Sequence, residues 1–169
     1  MKFNLIDSIL ELSDTRIVAI KQVTLAEEYL ADHFPTFPVL PGVMMLEALT
    51  QAAGWLLHRR NKFACSMAVL KEAKNVKYGQ FVAPGDALKV EVELFKPTAT
   101  GATFKASGTV RNETALAARI ELAYFNLADK HPHLANVDEK LREHNRLRWS
   151  LLQTHGESAN QVQNEPLSL

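Results

Sequence analysis

The stretch H-F-P-T-F-P-V-L-P-G-V-M-M-L-E-A-L-T-Q-A-A-G, residues 33–54 of a 169-residue chain, sets acid/base side chains on either side of a proline-punctuated turn into an apolar helix. Pro35, Pro38 and Pro41 fix φ and keep the backbone extended up to Gly42, and Pro41 suits a first helical turn. From residue 42 to 57 nearly every side chain is apolar or small, more than a one-sided surface helix requires. Such a helix would be about 24 Å long at about 1.5 Å per residue, too short and too polar at its middle for a membrane span. It is expected to be a buried helix wrapped by other structure.

The polar exceptions are Glu47, Thr50 and Gln51, at i, i+3 and i+4, a stripe that continues through Gly54 to His58. Two readings are open: the stripe faces water, or it lines a site. Gly42 and Val43 present backbone N–H groups at the positive end of the helix, where a developing oxyanion can be held. Glu47 follows about 7.5 Å along the axis and its side chain leans back toward that end. His33 stands before the helix, where the dipole disfavours an imidazolium and suits a general base. Acid/base work on a carbonyl compound needs a base, an acid and an electrophilic clamp. His33 and Glu47 are therefore the candidate catalytic pair, Gly42 and Val43 the oxyanion donors, and Pro41 and Gln51 the supports.

These residues resemble the FabZ-type 3-hydroxyacyl carrier-protein dehydratases, whose motif reads H-F-P-G-x-P-V-M-P-G-V followed by a helix with E-A-x-x-Q-A-A-G. The chain supplies His33, Phe34 and Pro35, then Pro38 through Val43, then Glu47 through Gly54. The resemblance spans residues 3–127 and includes Val82-Ala83-Pro84-Gly85-Asp86, similar to the family's V-x-P-G-D. It implies an α+β hot-dog fold, an antiparallel sheet wrapped around the central helix. It also implies removal of water from a 3-hydroxyacyl thioester to give the trans-2-enoyl thioester, with no metal or organic cofactor. The substrate would ride on acyl carrier protein. In the family the His and Glu of one site come from different subunits, so a homodimer or higher homo-oligomer is expected. Glu47, rather than the Asp of a related dehydratase/isomerase type, favours the plain dehydratase. A hot-dog acyl thioesterase and a non-catalytic acyl-binding homologue are the alternatives. Asp32 and Thr36 stand where the family has glycine. Tyr78-Gly79-Gln80-Phe81 departs from the usual Phe, two basic residues and Pro.

The rest of the chain agrees with one such domain. Lys plus Arg and Asp plus Glu number nineteen each, without the basic excess of a nucleic-acid binder. A single cysteine, Cys65, excludes an internal disulfide and reads as packing. Neither signal peptide nor anchor is expected at the acid-interrupted N-terminus, which predicts a cytoplasmic protein. Leu88, Val90, Val92 and Leu94 alternate with charged residues as in a half-exposed strand. Strands are also expected around 104–110, 116–124, 16–23 and 63–69, with turns at Pro84-Gly85-Asp86, Thr100-Gly101 and Arg111-Asn112.

Residues 1–128 form the expected catalytic domain, 129–155 a C-terminal helical extension (amphipathic over 137–153), and 156–169 a disordered tail. Lys140, Arg142, Arg146 and Arg148 either form a solvated face paired with Glu139 and Glu143 or attract an acidic carrier. The same choice holds for Arg59, Arg60 and Lys62. His131 and His133 lack further ligands at metal spacing. Met44, Met45, Phe63 and Phe81 are candidate tunnel walls, with core packing the competing role.

Overall fold

The computed structural model describes residues 3–162. Its elements are β1 (Ser8–Leu12), β2 (Arg16–Gln22), α1 (Gly42–Arg60), β3 (Met67–Tyr78), β4 (Ala87–Thr98), β5 (Gly101–Val110), β6 (Glu113–Phe125) and α2 (Ala135–Val162), with three single-turn 3-10 segments between them. The strands form one sheet in the order β1-β2-β4-β5-β6-β3, and every neighbouring pair is antiparallel. Alternation decides its faces. In β4, Leu88, Val90 and Val92 are fully buried while Lys89 and Glu93 point out; in β5 the buried set is Ala102, Phe104, Ala106 and Val110. In β6, Leu116, Ile120 and Leu122 continue that inner face.

Turn chemistry sets the registers. Arg111 and Asn112 both take positive φ between the paired Val110 and Glu113, the two-residue hairpin geometry that matches strand twist. After the β4–β5 turn, a Cβ on Gly101 would lie 1.9 Å from the Leu122 carbonyl oxygen, so only glycine lets β5 start there.

Helix α1 lies across the inner face and touches β2 through β6. Ala48, Leu49, Ala52, Ala53 and Leu56 are essentially without exposure, so the sheet curls around it as the resemblance implies. The helix runs three residues beyond the expected end, to Arg60, where His58, Arg59 and Arg60 suit the negative pole. Pro41 is the N-cap with extended ψ rather than a residue of the first turn.

Two strands depart from expectation. The strand expected at 63–69 begins instead at Met67 and runs to Tyr78, because Lys62 and Phe63 take positive φ in the turn that leaves α1. β1 carries no clear alternation and was not expected.

Helix α2 begins at Ala135 and continues to Val162, beyond the Gln153 expected as its end. Of the segment 156–169 read as a tail, residues 163–169 lie outside the described residues. Buried Asp138 anchors α2. It accepts from the Ser66 hydroxyl and from the Leu127 and Ala128 amides at 2.9 and 2.8 Å. Trp149 packs 5.9 Å from Trp55 and 6.2 Å from Phe63, centroid to centroid. Among the described residues no helix is long and apolar enough to cross a membrane.

Candidate active site

The loop before α1 is closed by its own backbone. Val39 donates to the His33 carbonyl at 3.1 Å, Phe34 and Phe37 exchange N–H···O bonds at 3.2 and 2.9 Å, and Leu40 donates to Val82 at 2.8 Å. The His33–Phe34 peptide is cis. His33 is half-buried, its ring stacked on Phe34 at 4.4 Å, with Nδ1 3.0 Å from the Val39 carbonyl oxygen. A carbonyl can only accept, so Nδ1 carries the proton and Nε2 keeps the lone pair a base needs. Asp32 and Thr36, where the family has glycine, are both exposed and leave this loop's bonds intact.

At the helix entrance Met44 and Met45 both donate to the Pro41 carbonyl. The amides of Gly42 and Val43 come before the first intrahelical bond and remain available. Gly42 is tight against the end of β3: a Cβ there would lie 2.8 Å from the Tyr78 ring. Phe81 meets Phe37 edge to face at 5.6 Å. The departure Tyr78-Gly79-Gln80-Phe81 thus builds an aromatic wall beside the helix entrance. Tyr78, Phe81, Phe37, Phe34 and Val43 are all more than half exposed in the single chain.

Glu47 is half-buried and accepts a 3.0 Å bond from Gln51 Nε2. Gln51 also donates to the Phe3 carbonyl at 3.0 Å and accepts from the Leu5 amide at 2.9 Å. One amide therefore orients the carboxyl and holds the N-terminal segment beside it. The polar stripe does not face open water. Thr50 is buried and donates to Leu46 at 3.0 Å, and Gly54 packs on Ala68 of β3.

His58 is 6 % exposed among Trp55, Phe63 and Tyr124. Burial pushes its pKa down to about 4 against the opposing bond to the Cys65 backbone, and its Nδ1 has no partner. Glu47, Thr50, Gln51, Gly54 and His58 form one wall of a cavity of about 170 Å³, with Ala68 of β3 and Asn145 and Arg148 of α2 opposite. His33 is not among its lining residues, so one chain does not bring His33 and Glu47 together in this cavity.

Of the other candidate walls, Met45 and Phe63 belong to the core, and Met44 lines a separate cavity of about 230 Å³ beside Glu27 and Tyr29. The sequence marks Tyr78 only as a departure from the family pattern and Arg148 only as part of a cationic face, and it places neither of them, nor Asn145, at the site. Their approach to the helix is made by distant segments, and no local pattern announces it.

Comparison with known proteins gives the family and the fold. Residues 1–121 match the model of the FabA-like domain family. A FabZ 3-hydroxyacyl-acyl-carrier-protein dehydratase of Solibacter usitatus is 40 % identical over 129 residues, 76 % of this chain and 78 % of that protein. Its namesake in Lactococcus lactis is 38 % identical over 113 residues, 67 % and 78 % of the two chains. Among solved structures, the dehydratase heterocomplex ApeI:P from Xenorhabdus doucetiae superposes with a TM-score of 0.64 at 16 % identity, covering 79 % of this chain and 90 % of that one. The E. coli PaaI protein superposes at 0.53 and 11 % identity over 69 % and 81 %. At such identities the structures speak for the hot-dog fold. The sequence relatives and the matched domain go further: the chain belongs to the FabA-like family and, within it, to the FabZ-type dehydratases.

Proposed function

We propose that this chain dehydrates 3-hydroxyacyl thioesters carried by acyl carrier protein to trans-2-enoyl thioesters in fatty-acid or related lipid synthesis, with His33 as base and Glu47 as acid. The observation that carries the reading is the ordered motif from His33 to Gly54, set in a chain about two-fifths identical to a named dehydratase. The local chemistry supports it. His33 Nε2 takes the C2 proton, the electron pair forms the C2–C3 double bond, and the Gly42 and Val43 amides hold the negative charge that develops on the thioester oxygen. Glu47 gives its proton to the C3 hydroxyl as the C3–O bond breaks, and water leaves. Exchange with solvent returns both groups to their starting states.

Because His33 does not line the Glu47 cavity, the complete site is the one the family builds across two subunits: His33 of one chain meets Glu47 of the next. The exposed aromatic wall and the open edge of β3 are the surfaces such a homodimer would cover. The protein is accordingly a cytoplasmic homo-oligomer acting on a soluble carrier.

The test is hydration of a crotonyl thioester and dehydration of its 3-hydroxy partner. His33→Ala and Glu47→Gln should each lower kcat by about 10²–10⁴-fold, the usual worth of acid/base assistance, while circular dichroism is unchanged. Wild-type turnover in both variants defeats the assignment. Release of free thiol by the wild-type protein, without enoyl product, would mark a thioesterase instead.

A further inference from the structure

The cavity beside Glu47 is closed by an element outside the matched family domain. Asn145 and Arg148 of α2 form its far wall, and the match ends at residue 121. Two of the donors around it are engaged within the protein. Thr50 gives its hydroxyl to Leu46 and Asn145 its amide to Ser66 at 3.2 Å.

Arg148 differs from two neighbouring α2 cations. Arg142 and Arg146 both pair with Glu139, whereas the Arg148 guanidinium donates to the neutral Asn4 side chain and lies 5.9 Å over the Trp55 ring. Burial lowers its pKa, and among the described residues it forms no ion pair, although Glu47 lines the same cavity. A half-buried guanidinium has five N–H donors in a planar fork suited to a carboxylate. A terminal methyl offers it nothing and strips water from it.

The cavity is lined by Glu47 on α1 and Arg148 on α2. Its volume of about 170 Å³ holds about five or six groups of water size, at about 30 Å³ each. That is room for a short tail.

We propose that Arg148 is a specificity-determining residue: the cavity between α1 and α2 receives the distal end of a short acyl group that ends in a carboxylate, and Arg148 binds that carboxylate. The inference rests on the dehydratase reading above and adds the substrate class to it. It gives the C-terminal helix a part in substrate selection.

The test uses the full chain and two carrier-protein thioesters of equal length, 3-hydroxyhexanoyl and its ω-carboxylate counterpart. Wild-type kcat/KM should favour the carboxylate by about tenfold or more, the scale of a charge-assisted hydrogen bond. Arg148→Gln should bring the ratio toward one, chiefly through KM, and Arg148→Lys should restore part of it; thermal melts of each variant confirm folding. Equal kcat/KM on the two substrates in the wild type, or a preference that Arg148→Gln leaves in place, overturns the inference while the dehydratase stands. Turnover of neither thioester by the wild type overturns both.

Discussion

His58 shows how one residue records the cost of closing the core over a polar stripe. It ends the face that begins at Glu47, yet it is buried in an aromatic cluster with Nδ1 unpartnered. Its pKa is lowered from 6.5 to about 4 by desolvation, against the Cys65 backbone bond. The folded protein therefore resists a proton that the unfolded chain accepts, and stability rises with pH between about 4 and 6.5. Going from pH 7 to pH 5, this residue should cost about 2 kcal/mol of folding free energy. Urea unfolding at the two pH values measures it. His58→Leu should flatten that part of the profile and leave the variant more stable than wild type at pH 5. An unaltered pH slope in the variant would mean that His58 is not held neutral by burial.

At the scale of elements, Asp138 ties the start of α2 to Ser66 before β3 and to the turn after β6, while Trp149 and Leu152 pack its later turns into the core. Burial pushes the Asp138 carboxyl up, but bonds from Ser66, Ala128 and Leu127, with Arg142 nearby, hold it below the ordinary carboxylate range. Its contribution is present above the unfolded pKa and is lost as pH falls through the lower folded value. Asp138→Asn removes the charge and turns its NH2 donor toward either the Leu127 or the Ala128 N–H group. We expect a lower Tm and faster hydrogen exchange confined to α2 and the 126–134 turn, with α1 and the sheet still protected. Uniform loss of protection would place Asp138 in the core of the whole domain instead.

The same scale shows what the sequence could and could not reveal. β4, β5 and β6 are legible because each buries one face and so carries a clean alternation, and α1 because its nearly continuous apolar run follows the proline-punctuated turn. β3 was displaced in the reading because it is an edge strand. Its residues Lys71, Glu72, Lys74 and Lys77 are exposed in the single chain, and a strand without a buried face shows no alternation. The motif placed His33, Gly42 and Glu47 in order. It could not show that Tyr78 would press on Gly42 or that Arg148 would reach the Glu47 cavity, since those contacts join segments 36 and 101 residues apart in the chain.

For the molecule as a whole, the central question is whether the base and the acid work as one site. Within a chain they occupy different surroundings: His33 in a self-bonded loop beside exposed aromatics, Glu47 in a cavity closed by α2. A two-fold dimer would bring each His33 to the other chain's Glu47 and cover the aromatic wall. The most direct measurement mixes inactive His33→Ala with inactive Glu47→Gln under conditions that exchange subunits, and follows dehydration. If the site is shared, each mixed dimer holds one intact His33–Glu47 pair. Random reassortment of a two-fold dimer should then recover roughly a quarter of wild-type turnover. No recovery despite demonstrated exchange would contradict a site shared between subunits.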